Sequence, residues 1–583
     1  MLLATLVLSS PSVAAPLDAI IAREWEQQMA RNPVWASLLG DRRFADRWDD
    51  VRPSALARGA EHDRAVLLEL RSIDTSSLEA EPRLNLELLA HDYADAVEAF
   101  DHGAHLLWMS HQQGLPEGLG RPPGVHALDE LGPNLAFDTA ADYEAWLARL
   151  RALPDYVAQV TELLRAGMRA GRMHPQFVAD RLAKVLEAQV ARKAEETGFF
   201  EPFTRFPERV SAADRGRFAT AARTLVADRA QPALRAFLAF LRDEYRKSAP
   251  IEGGLGRQGG DALYRWLARH HTTTSLTPAE IHATGLAEVS RLRSEMEKVK
   301  ARVGFGGSLA EFFQHLRTDP RYYYSDPQQL LAGYRSLAKR VDPRLVALFG
   351  VLPRMPYGVE PTPEARAPHA TTGFYFPAAP DGSRAGTYLV NLYRPEMRPR
   401  WEMVPLTLHE AVPGHHLQVS LAAELPGLPA FRRLGYHTAF GEGWGLYSEW
   451  LGHEMGLYED PYDHFGQLGY EMWRAVRLVV DTGMHAQGWT REQSVRYFLD
   501  NSPRPELDVV NEVDRYLANP GQALAYKVGQ LKILELRRRA EKALGEGFDV
   551  RAFHDQVLGS GSLPLGVLEG RIDAWIARAA SAP

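Results

Sequence analysis

The sequence predicts a mostly α-helical protein with one small antiparallel β-sheet. Three observations predict it. Apolar residues recur at helical spacing along most of the chain. Helix starts can be read with a mechanism, most clearly at Thr277-Pro278-Ala279-Glu280: Thr277 can cap, Pro278 fits the first turn, and Glu280 can close a capping box. The stretch from Pro353 to Arg400 has a different texture, dense in Pro and Gly with Tyr, Phe and Thr clustered.

In chain order, Leu2 to Leu8 form a short apolar core, and Ser12 to Ala15 supply small residues suited to cleavage. Residues 1–15 therefore read as a secretory signal peptide, and the expectation is an exported protein, periplasmic or secreted. Leu17 to Arg31, Pro53 to Arg71 and Glu79 to Phe100 carry helical periodicity. Asp142 to Arg172 reads as one or two helices, broken near Pro154. Pro175 to Glu196 and Ala212 to Arg246 continue the pattern, and the helix begun at Thr277 runs to about Val303. His282 and the pair His270-His271 read as structural.

Thr372 to Phe376 and Thr387 to Tyr393 read as two strands, with a turn signal at Asp381-Gly382-Ser383-Arg384. An exposed strand edge can bind an extended peptide by main-chain hydrogen bonds, which makes Tyr388 and Asn391 candidate substrate contacts. Gln418 to Glu424 is helical and ends at Leu425-Pro426-Gly427-Leu428-Pro429. Tyr436 to Trp450 forms a further helix, and Pro520-Gly521-Gln522 opens another, with Tyr526 and Lys527 in its early turns.

Composition bounds the function. The chain has 583 residues, 45% hydrophobic and 24% charged, as globular proteins do. No linker or low-complexity run divides it. Residues 16–583 thus read as a single large domain, with an N-terminal helical part to about 350 and a metal-site part from about 351. A net charge of -7 argues against a nucleic-acid binder. The absence of cysteine excludes disulfides, thiolate zinc sites, a thiol nucleophile and a lipidated Cys. No further run of 18 apolar residues offers a membrane span.

The chemistry concentrates in Leu408-His409-Glu410-Ala411-Val412-Pro413-Gly414-His415-His416-Leu417-Gln418. Neutral imidazole is the commonest protein ligand for zinc. A Glu directly after the first His is also the arrangement of H-E-x-x-H helices, where the Glu activates water. Here the spacing is longer. On an ideal helix His416 would return to the face of His409 but about 10.5 Å along the axis, too far for one metal. Pro413 and Gly414 make an ideal helix improbable. A local bulge that absorbs two residues would bring His415 into place, so His415 is the favoured second ligand and His416 the alternative.

Glu442 and Glu449 lie seven apart in the next helix, near one face. Zinc peptidases of the Glu type take their third ligand from such a helix, which makes Glu442 the candidate. Glu449 could bind the metal instead, or orient a ligand His from behind. The three glycines at 441, 443 and 445 would let this helix approach a neighbour closely. Further on, a Tyr526 hydroxyl near the metal could stabilise an oxyanion, and Arg515 could grip a substrate carboxylate.

The blocks His409 to Gln418, Glu442 to Glu449 and Arg515 to Gln530, in that order, resemble the signature blocks of the bacterial family called domain of unknown function 885. Asp381 to Asn391 and Leu276 to Val289 resemble it too. The family is similar in pattern to zinc metallopeptidases. The resemblance implies a large multi-helix domain with an interior cleft, broadly like thimet oligopeptidase, carboxypeptidase Taq and dipeptidyl peptidase III, with the sheet next to the metal helix. Those three carry a Gly just before the second ligand His, as Gly414-His415 does here. The implied activity is a zinc-dependent peptidase of oligopeptidase or carboxypeptidase type acting on short peptides; the alternatives are a metal-dependent hydrolase of non-peptide amides or esters and a non-catalytic peptide-binding protein. His409, His415 and Glu442 would hold one Zn2+, and Glu410 would be the general base.

Overall fold

The computed structural model describes residues 14–109, 114–115, 122–364, 367, 370–379, 382 and 384–581. The signal-peptide core and, in the turn signal, Asp381 and Ser383 lie outside them. The chain divides into two compact units. The first holds the chain to Met173, Ala179–Ser248 and Pro429–Phe431; the second holds His174–Val178, Ala249–Leu428 and Arg432 onward. Residues 249–350, read from sequence with the N-terminal part, thus belong to the second unit.

In the first unit, α1 (Ala14–Arg31), α2 (Pro53–Arg71) and α3 (Ala80–Asp101) bury one cluster that includes Leu17, Ile20, Leu67, Leu70, Leu89 and Tyr93. α4 (Ala140–Arg169) runs unbroken through Pro154, against expectation. Leu150, Leu153, Tyr156 and Val157 are buried on either side of the proline, and their packing outweighs the lost hydrogen bond. α5 (Ala212–Leu225) and α6 (Gln231–Phe240) are joined by a π-helical turn at Val226–Ala230.

The second unit starts with α7 (Asp261–Thr272) and α8 (Pro278–Arg302). The Thr277 capping box is formed: Glu280 N donates to Thr277 Oγ1 (3.2 Å), and Thr277 N donates to Glu280 Oε2 (2.8 Å). His282 is structural as expected, its Nδ1 sharing a hydrogen bond with Thr482 Oγ1 (2.8 Å).

The sheet has three strands, β1 (Tyr357–Pro361), β2 (Gly373–Phe376) and β3 (Gly386–Val390), in the order β1-β3-β2. β2 and β3 pair antiparallel, as predicted, with Tyr375 opposite Tyr388. β1 pairs parallel to β3, so the sheet is mixed rather than antiparallel. The prolines around β1 disguise it as loop, because an edge strand can spare an N–H.

The helices that build the site and its surroundings include α9 (Met403–Glu410), α10 (His415–Glu424), α11 (Thr438–Leu451), α12 (Pro461–Ala486), α13 (Glu506–Ala518) and α14 (Ala525–Leu544). α8 and α12 share a core of Val289, Leu292, Met296, Met472, Val476 and Val479. α11 and α14 meet backbone to backbone: a Cβ on Gly443 would lie 2.5 Å from Gly529 Cα. Among the described residues, no helix is long and apolar enough to cross a membrane.

Candidate metal centre

α9 stops at Glu410, and α10 starts at His415. The two extra residues of the motif are therefore absorbed by a complete break rather than by a bulge in one helix. Trp444 Nε1 pins the intervening turn by donating to the Pro413 carbonyl (2.8 Å). Gly414 is required there, because a Cβ would fall on the His409 carbonyl oxygen. The break swings His415 back onto His409, their rings 4.7 Å apart and at 88°.

α11 closes the site from the other side. Gly445 leaves room for the His409 ring, which a Cβ would approach to 2.7 Å. One turn earlier, Glu442 Oε2 lies 3.4 Å from His409 Nε2 and 3.5 Å from His415 Nε2. The ligand atoms of these three residues all lie within 4.8 Å of one another. Glu442 Oε2 is buried and has no hydrogen-bond partner. An orphaned carboxylate oxygen between two imidazole nitrogens is what a cation would satisfy. Two nitrogens and one carboxylate oxygen suit zinc, with an open position left for chemistry.

Glu449, two turns beyond Glu442, faces the other nitrogen: His409 Nδ1 is 2.8 Å from Glu449 Oε1. That bond fixes the proton on Nδ1 and directs Nε2 toward Glu442. Arg474 of α12 backs Glu449 at 3.1 Å. Burial alone would depress the His409 pKa, but Glu442 and Glu449 outweigh it and raise it to about 9. Burial would raise Glu442, and the facing imidazoles of His415 and His409 instead hold it well below the usual carboxylate range.

Glu410 ends α9 with its Oε2 accepting from the backbone N–H of Tyr375 (2.9 Å). Burial pushes its pKa above the ordinary value. His416 turns away from the cluster. Its Nε2 meets the Met355 carbonyl and its Nδ1 the Tyr375 hydroxyl, each at 3.0 Å, and burial lowers its pKa to about 4. It holds the edge strand, and His415 takes the position facing Glu442.

Tyr526 stacks on His409, ring centroids 6.4 Å apart and 16° from parallel. Its hydroxyl accepts from Gln522 Nε2 (3.4 Å). Arg515 donates to Gln522 Oε1 (2.7 Å) and to Glu512 (3.1 Å). Tyr388 and Asn391 do not join the site. Tyr388 sits on the central strand, fully buried, and the Asn391 amide donates to the carbonyls of Ala367, Ala370 and Thr371. The edge strand beside Glu410 is β2 instead. Arg474, Arg477, Gln522 and Tyr375 were not read from sequence. A signal for the first two exists: paired arginines among Ala475, Val476 and Leu478 are cations on an apolar helix and need buried partners.

No curated protein is significantly similar to the chain. Solved structures are. A candidate lipoprotein from Colwellia psychrerythraea matches with a TM-score of 0.91 and 27% identity, over 97% of this chain and 100% of the other. A candidate lipoprotein of unknown function from Shewanella oneidensis matches with a TM-score of 0.71 and 18% identity, over 96% of this chain and 99% of the other, a likeness of fold. Residues 33–572 match the sequence profile of the bacterial proteins of unknown function called DUF885, and over that span the chain belongs to this family.

Proposed function

We propose that the protein is a metal-dependent peptidase acting on short peptides, with zinc as the metal. The observation that carries the reading is the convergence of His409 Nε2, His415 Nε2 and the orphaned Glu442 Oε2, with Glu410 next to them in the chain. A divalent cation held there would polarise a carbonyl and make water acidic enough to attack near neutral pH. Glu410 takes a proton from the attacking water and returns it to the leaving amine; its raised pKa suits both steps. Tyr526 accepts a hydrogen bond from Gln522, which frees its own proton for the developing oxyanion. Glu410 lies against the edge strand β2, whose Tyr375 N–H donates to it, and an edge strand beside the site supports an extended peptide as substrate.

The sequence of residues 1–15 and the lipoprotein names of the structural relatives support export.

The test is metal content and cleavage of a mixed peptide pool, measured on the wild type, His409→Ala and Glu410→Gln. The expected wild type carries about one zinc per chain and cleaves. His409→Ala loses both, and Glu410→Gln keeps zinc while cleavage falls by roughly 10²–10⁴. A zinc-supplied wild type with no metal and no cleavage would make this a non-catalytic peptide binder.

A further inference from the structure

Next to the metal site lies a second constellation. Arg477 of α12 is buried, only 3% exposed. Its Nε donates to the Tyr516 hydroxyl (2.9 Å) and its Nη2 to Glu512 Oε2 (3.0 Å), while Nη1 has no hydrogen-bond partner. Arg515 leans on the same Glu512 oxygen. Tyr516 donates to it as well (2.7 Å). Two guanidiniums thus share one carboxylate. The next carboxyl, Asp481, is already engaged by the Tyr264 hydroxyl (2.6 Å) and the Gly521 N–H (3.1 Å). An unpaired guanidinium nitrogen at this depth is costly unless something else supplies an acceptor.

The position is informative. The Arg477 guanidinium lies 4.4 Å over the Tyr526 ring, which also neighbours Arg474 at 5.8 Å and His409 at 6.4 Å. The first and last of these separations together put Arg477 no more than 10.8 Å from the His409 ring. Arg515 and Glu512 keep 19% and 14% of their side-chain surface, much as His415 and Glu442 keep 13% and 14%. Both groups therefore reach solvent in an otherwise buried region. An extended chain advances roughly 3.3–3.6 Å per residue, so an anion at the arginines belongs to a residue one or two beyond a carbonyl at the metal site.

The geometry points to a carboxylate subsite at Arg477 and Arg515 that takes the free C-terminus of the substrate, so that the enzyme removes one or two residues from that end. Planar guanidiniums match a carboxylate with paired hydrogen bonds. This inference rests on the peptidase reading for its chemistry but not for its binding.

The test uses the full chain and one peptide in three forms: free acid, C-terminal amide, and amide ending in an added Asp. Zinc-loaded wild type should cleave the acid on the order of 10–100-fold better than either amide, with products one or two residues shorter. Arg515→Gln should remove that preference through KM, and Arg515→Lys should restore part of it. Calorimetry on Glu410→Gln should show the acid binding more tightly than the amide. Equal cleavage of acid and plain amide would overturn the subsite while the peptidase reading stands. Rescue by the Asp amide would overturn the C-terminal assignment in favour of an acidic side chain. If no form is cleaved, the peptidase reading fails, and calorimetry decides the subsite alone: acid over amide upholds it, and equal binding overturns it.

Discussion

Tyr526 and Lys527 are neighbours in the chain and face two unlike clusters of charge. Lys527 is fully buried, and its ammonium reaches Glu471 at 2.6 Å, Glu288 at 2.8 Å and Gln530 at 2.8 Å. All three of its protons are placed. Glu471 is completed by Gln467 (2.9 Å) and Arg291, and although burial opposes it, Lys527 and Arg291 hold its pKa down at about 2. Tyr526 instead leans on His409, in a cluster where Glu442 Oε2 has no hydrogen bond and two imidazole nitrogens point at it. Both clusters are buried and mix acids with bases. One is saturated and holds helices together. The other is short of a partner at the point where three ligand atoms converge. Satisfaction, rather than charge or burial, separates structure from candidate function here.

The largest effect that would break this comparison is on stability. Lys527→Met removes the buried cation between Glu471 and Glu288 and leaves the two carboxylates to share Arg291. The expected loss is about 3–5 kcal/mol, read as a lower urea midpoint at unchanged slope, with zinc content kept in the folded fraction. A variant that stayed as stable but lost zinc would mean that the Lys527 cluster serves the site and that the two are one network.

The sequence was informative where a residue's chemistry is local and silent where packing decides. The Thr277 cap needs only four residues in a row, and it is formed as read. His409, His415 and Glu442 could be named because few residue types can offer a metal nitrogen or oxygen, and the structure brings them together. Pro413-Gly414 announced an irregularity but fits a bulge and a full break equally well. The Trp444 bond to the Pro413 carbonyl, supplied from another helix, accompanies the break. The exposed edge expected at Tyr388 and Asn391 is absent because strand order is tertiary: once β1 pairs with β3 the strand is central, Tyr388 is buried, and the Asn391 amide is spent on the carbonyls of Ala367, Ala370 and Thr371. Arg477 was missed because a cation on an apolar helix gives no hint of which element will face it.

The second way to sharpen the comparison is pH. In the metal-free protein the His409 pKa is about 9, above the ordinary 6.5. The stability this contributes is fully present below pH 6.5 and is lost as pH rises through about 9. A metal ligand must be the neutral imidazole, so the loaded protein has no such proton to lose. Urea midpoints of chelator-treated protein should therefore fall from pH 6.5 to 9.5, while those of zinc-loaded protein stay level over the same range. Parallel curves would show that His409 titrates identically in both and is not a ligand.

The smallest effect separates the two carboxylates of α11. Glu442 and Glu449 both lie within reach of His409, but on opposite nitrogens. Glu449→Gln keeps an oxygen to accept the Nδ1 proton and removes the charge that balances Arg474. Zinc affinity should fall by roughly 10–100-fold without being abolished, as measured by competition with a chromophoric chelator. Glu442→Ala removes a converging ligand atom and should bring affinity below the range of the same assay. If the two variants behave alike, Glu449 is itself a ligand and the site has four protein donors, which would leave less room for an attacking water. If Glu449→Gln has no effect, its bond to His409 is packing rather than tuning, and the division between a saturated and an unsaturated cluster runs through α11 itself.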